Sequence, residues 1–109
     1  MQGEMVPVVL IPRFTSFRAG SDYDTAPLDV TAYDRLVVMV GFSAQTGTDP
    51  SFTFQDSHDG VTWFTLDTVT SSPTEVRVDL TRRWLRVYVE LSADVVTCWC
   101  AGSLRRRVD

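Results

Sequence analysis

Cys98 and Cys100 flank Trp99, in a chain with a single histidine, His58. In an extended strand, residues i and i+2 share a face with their Cα atoms about 7 Å apart, too far for an unstrained disulfide. A Cys-x-Cys pair could supply two thiolates, but a zinc site takes four ligands, and His58 lies in a distant turn. The expectation is a pair of buried, reduced thiols with no metal and no cofactor. Two unpaired thiols suit assembly in a reducing cytoplasm.

Two loops carry paired carboxylates, Asp22/Asp24 and Asp56/Asp59. Calcium needs about six converging oxygens, and Asp is also the ordinary turn residue, so turn chemistry is the reading preferred here. A Ser-His-Asp arrangement would have to use His58 with Asp56 or Asp59 at a solvated hairpin tip. Nothing there would orient the imidazole or desolvate a nucleophile. No glycine-rich loop leads into a helix to cradle a phosphate. No catalytic residue is assigned, and the chain is not expected to be an enzyme.

Binding chemistry is better represented. Trp84, Arg86 and Tyr88 fall on one side of an alternating run, opposite Leu85, Val87 and Val89, and are residue types enriched in interface hot spots. The competing reading is that a second layer of the chain covers them. Val8, Leu10, Ile11 and Phe14 are the apolar anchors of a proline-marked N-terminal run. Arg105-Arg106-Arg107 could meet acidic protein or nucleic acid, with a solvated tail as the default.

These residues must be positioned by strands. Phe52–Leu66 reads as a hairpin: Phe52 and Phe54 share a face, Asp59-Gly60 supplies the positive φ of a turn, and Ser57 to Gly60 bond to their own backbone. Val6–Phe17 is apolar but interrupted by Pro7 and Pro12, which makes it an edge strand or an arm laid on another surface. Pro27–Val30 offers a short strand. Arg35–Ala44 is apolar on both faces and should be central and covered on both sides. Glu75–Leu80, Trp84–Leu91 and Val95–Leu104 complete the set. The expected core is Leu36, Val38, Val40, Phe54, Val76, Val78, Leu85, Val87 and Val89.

Strands recurring every 8–12 residues or so, with no helical period, give an all-β fold: an antiparallel β-sandwich or jelly-roll-like domain of about seven to eight strands. The 109 residues amount to one domain, read as an N-terminal arm or edge strand over 1–17 and a β-sandwich over 18–109. The net charge of −4 disfavours a general nucleic-acid binder. All ten basic residues are arginine, the cation suited to flat, bidentate interface contacts. No apolar run reaches the ~20 residues of a membrane helix, and no signal peptide is visible.

Two stretches carry a resemblance. One is Leu28-Asp29-Val30-Thr31-Ala32-Tyr33-Asp34-Arg35-Leu36, followed by the apolar strand and Gly47-Thr48-Asp49-Pro50-Ser51. The other is Ser57-His58-Asp59-Gly60-Val61-Thr62-Trp63 with Arg82-Arg83-Trp84-Leu85-Arg86-Val87. Together they resemble small β-sandwich virion proteins of tailed phages, over Pro27–Leu91, with Trp84 where tyrosine is commoner. The resemblance implies a non-enzymatic structural protein located in the virion, foremost a capsid decoration (cement) protein. Its partners would be the major capsid protein and further copies of itself, with no membrane. The hairpin is also similar to discoidin-type carbohydrate-binding sandwiches, so a glycan-binding module of a tail or fibre is the alternative, and a head–tail joining protein a third.

Overall fold

Alternating apolar and polar residues become paired strands through most of the chain. A computed structural model describes residues 4–18, 23–43, 50–90 and 95–108, with the backbone alone for 13–18 and 95–96. The strands are β1 (Met5–Arg18), β2 (Tyr23–Asp24), β3 (Leu28–Asp29), β4 (Tyr33–Phe42), β5 (Ser51–Ser57), β6 (Phe64–Val69), β7 (Thr74–Asp79), β8 (Trp84–Glu90) and β9 (Val95–Arg106). The first sheet has the order β1-β9-β4-β7, and the second β2-β8-β5-β6 with β3 also on β8. All pairs are antiparallel.

The pairing is nested: β1 with β9, β2 and β3 with β8, β4 with β7, and β5 with β6. A chain folded back on itself in this way and wrapped into two sheets is a jelly roll, with β2 and β3 sharing one strand position. Pro27–Val30 is one of the expected strands, so β2 is the piece that takes the described strands beyond the expected eight.

The inner faces form the core. Of the nine expected core residues, eight are buried, and Val78 is half-buried beside them. Phe52, Ile11, Leu80, Val30, Cys98, Cys100 and Leu104 join them. Phe42 from the first sheet stacks on Phe52 from the second, with ring centroids 5.9 Å apart, and ties the layers together at one end. Burying side chains of this kind stabilises the fold by roughly 1.5–3 kcal/mol each.

The N-terminal run is an integral edge strand. Val6 lies opposite Leu104 and Val8 opposite Gly102, but Ile11, not Leu10, lies opposite Cys100. This one-residue bulge turns Ile11 inward, where it is fully buried in the chain's own core. The Glu4 carbonyl accepts from the Arg106 N–H, so Val6 and Val8 also point their backbone groups at β9, and Pro7 presents its missing N–H to the open edge. Of the two expected readings, arm or edge strand, β1 takes the second, at the edge of the first sheet beside β9.

β4 corrects another expectation. It is central, between β9 and β7, and Leu36, Val38 and Val40 are buried on its inner face. Among the described residues nothing covers its outer face: Val37 is half-buried and Met39 is 48% exposed. Apolar residues on both faces of a strand state that both faces avoid water. They do not state that the same chain supplies both covers.

Candidate functional site: an arginine and aromatic face

The outer face of the second sheet carries the expected row. Leu85, Val87 and Val89 point into the core, so Trp84, Arg86 and Tyr88 point out, each half-buried. Across the ladder on β5 stand Ser57, Gln55 and Thr53. No second layer of the described chain lies over this row.

Arg86 is held from three sides. Its Nε donates to Gln55 Oε1 at 2.8 Å, its Nη1 lies 3.6 Å from Asp24 Oδ2, and its guanidinium sits 4.2 Å above the Trp63 ring. Two further arginines repeat the arrangement. Arg83 lies 4.9 Å over Trp84 and 3.2 Å from Asp29 Oδ2. Arg82 lies 4.3 Å over Phe64 and bonds Asp56 Oδ1 at 2.8 Å. Each guanidinium is therefore placed between an aromatic face, attractive through the ring quadrupole, and a carboxylate. The exposed pairs add little stability on their own, but together they set the rotamers of a row that would otherwise be mobile.

Local chain chemistry explains the positions. Ser57 Oγ accepts from the N–H groups of Asp59 and Gly60, and Asp59 Oδ1 accepts from Val61 N–H, Thr62 N–H and the Ser57 hydroxyl. Gly60 takes φ of 78°, beyond the easy reach of a side chain with a Cβ. This turn delivers Trp63 next to Arg86, and the strand resumes at Phe64, one residue later than expected. The backbone bonds from Thr62 and Val61 hold the Asp59 carboxyl below its usual range. The Thr31 hydroxyl and N–H, with Arg83 behind them, do the same for Asp29.

The same bonds engage the acidic groups that a Ser-His-Asp arrangement would use. Asp59 is occupied by its own turn, Asp56 is fully buried against Arg82, and His58 is exposed at the tip. Among the described residues no group of three or more His, Cys, Asp or Glu stands together as metal ligands. Asp22, of the other acidic loop, lies outside the described residues. Cys98 and Cys100 share the buried inner face of β9 and are not joined. Burial pushes their thiols up to about 11 and about 12, so both stay protonated.

The N-terminal anchors lie elsewhere. Val8 and Leu10 are half-buried against the core and line a cavity of about 280 Å³ with Tyr23, Thr25 and Leu28, where the β1 edge meets the edge formed by β2 and β3. Ile11 is enclosed by its own chain and is not available to another surface. Phe14 lies outside the described side chains. These residues and the Trp84 row are on different surfaces.

The C-terminal arginines have partners in the body of the domain, while Arg106 and Arg107 stay exposed to solvent. Arg105 Nε bonds Asp34 Oδ1 at 2.8 Å, Arg106 pairs with Glu4 at 3.3 Å, and Arg107 donates to the carbonyls of Thr31, Tyr33 and Leu80. The Arg105 bond holds the Asp34 carboxyl low and the guanidinium high.

Two features were missed by sequence reasoning. Trp63 joins the Arg86 cluster, which its expected place at the start of the second hairpin strand did not signal. A second outward surface, Val9, Met39, Trp99 and Ala101, lines an apolar hollow of about 290 Å³ on the first sheet. Its signal was present: if Cys98 and Cys100 face in, Trp99 must face out. No family model, curated protein or solved structure matches the chain.

Proposed function

We propose that the chain is a non-enzymatic structural protein of a tailed-phage virion, a decoration protein that binds the outside of the capsid shell through the outer face of its second sheet. One observation carries the binding part of this reading. Trp63, Trp84, Arg86 and Tyr88 stand on one face, with Arg86 oriented beforehand by Gln55, Asp24 and the Trp63 ring. Rigid aromatics and a pre-placed arginine lose little conformational freedom on binding, and such residues dominate interface energetics. The virion part rests on the resemblance over Pro27–Leu91, and on a fold-level analogy, since jelly rolls recur in viral capsids.

Co-sedimentation of the full chain with undecorated shells of the phage that encodes it tests the reading. The wild-type chain saturates the shells, and Trp63→Ala, Trp84→Ala or Arg86→Ala weakens binding about 30-fold, the effect of losing a hot-spot residue. Absence of the chain from the shell pellet, or three variants that bind like wild type, contradicts it. A glycan-binding module is the second reading, favoured by Trp63 and Trp84 beside the polar Gln55 and Asp24 on a fold that lectins also use. Binding to host surface polysaccharide but not to shells would select it.

A further inference from the structure

The outer face of the first sheet carries apolar side chains that the described chain leaves uncovered. Its side chains form rows across the sheet. Val9, Ala101, Met39 and Glu75 are in register, and the next outward row is Pro7, Ser103, Val37 and Arg77. Beyond these, Trp99 lies beside Gly41 at one end, and Met5, Arg105, Arg35 and Asp79 stand at the other. Val9 is 61% exposed and Met5 and Met39 are 48% exposed, on a face where soluble monomers seldom keep so many apolar groups together.

We propose that this face packs against the same face of a second copy of the chain, in a two-fold, sheet-on-sheet dimer. The row pattern is self-complementary. A two-fold axis in the plane of the face, crossing the strands between the two central rows, sets Met39 over Val37 and Val9 over Pro7 of the second copy. Glu75 and Arg77 are ion-paired with each other within the chain, and the same operation sets this pair over its copy, Glu75 to Arg77 in both directions, and Trp99 over Arg105. Apolar residues meet apolar ones, β7 meets β7 with opposite charges aligned, and an indole meets a guanidinium. The angle of about 30° between packed sheets leaves the central rows in contact and offsets the corners.

Area and edge chemistry agree with this occupant. Four strands about 4.8 Å apart, over the 10 residues of β4 at about 3.4 Å each, span about 650 Å² in projection. The accessible area is larger, and a stable interface takes about 800 Å² per partner. Side-by-side pairing at the β1 edge is the other route to a dimer, and Pro7, with no N–H to offer there, opposes it. Trp99 lies across Gly41 and, with Val9, Met39 and Ala101, lines the apolar hollow of this face, which a second copy would cover.

The proposal does not depend on what the second sheet binds. Sedimentation equilibrium of the isolated full chain over about 1–100 μM tests it, with circular dichroism as a check on folding. The expected result is twice the chain mass at the upper end, and a dissociation constant raised about 30-fold or more by Met39→Glu, which places a charge at the centre. Glu75→Arg and Arg77→Glu, both at exposed positions, each weaken the dimer, and the double exchange restores it. A wild-type chain that is monomeric throughout, a dimer indifferent to Met39→Glu, or a double exchange no better than the single ones overturns the proposal. So does a monomer whose shell binding is lost with Met39→Glu, since the face would then belong to the shell.

Discussion

The indole of Trp99 lies across Gly41 on the neighbouring strand, so close that a Cβ built at position 41 would overlap Cζ2 and Cε2 of the ring. The two residues are directly opposite each other in the β4–β9 ladder. The contact is possible only because position 41 has no side chain.

Gly41→Ala should lift that ring off the sheet. The colliding atoms belong to a side chain that can rotate, so the fold survives with a loss of about 1–3 kcal/mol. Urea unfolding and tryptophan emission report the change, the emission shifting as Trp99 enters water. Unchanged stability together with unchanged emission contradicts the packing described.

Phe54 is completely buried between the sheets, and its truncation leaves a cavity that neighbouring strands cannot close. Phe54→Ala is expected to cost about 3–5 kcal/mol in urea unfolding. Val78→Ala, at a half-buried position of β7, should cost clearly less. Equal losses at the two sites would show that the inner faces are assigned in the wrong register.

Asp56 has no exposure, its Oδ1 bonds Arg82, and among the described residues its buried Oδ2 has no partner. Arg82→Ala strands this carboxylate in the core end and removes the stack on Phe64. A loss of about 3 kcal/mol is expected, at the low end for a broken buried pair because Arg82 is itself 27% exposed. Replacing both partners with apolar residues should recover most of it. A single-variant loss under about 1 kcal/mol means that the carboxylate reaches water or another donor.

Asp29, Asp34 and Asp59 are all held below the usual carboxylate range in the folded chain, chiefly by hydrogen bonds from Thr31, Arg105 and the Thr62 and Val61 backbone respectively. The unfolded chain therefore binds protons more readily than the folded one. Their stabilisation is complete above the unfolded value of about 3.9 and is lost as pH falls through the lower folded values. Thermal melts should decline with acid below about pH 4, and Asp59→Ala should flatten the decline. A midpoint that rises on acidification contradicts the sign.

Much of the fold was legible because period-two alternation fixes which residues share a face. Leu36, Val38 and Val40 on β4, and Leu85, Val87 and Val89 on β8, went where alternation put them. The bulge at Leu10 and Ile11 was not legible, because it depends on the register of β9, some ninety residues away in sequence. The Trp84, Arg86, Tyr88 row was readable as outward, but its stacking on Trp63 needs the geometry of a turn. The uncovered face of β4 was misread because alternation gives the direction of a side chain and not what meets it.

The most direct test of the account is an image reconstruction of the virion with and without this chain. The account predicts added density on the outer shell surface that fits a sandwich of 47 × 27 × 18 Å, with Trp63, Trp84 and Arg86 turned toward the major capsid protein. Identical reconstructions of the two particles, or density that places the second sheet's outer face in solvent, would contradict it.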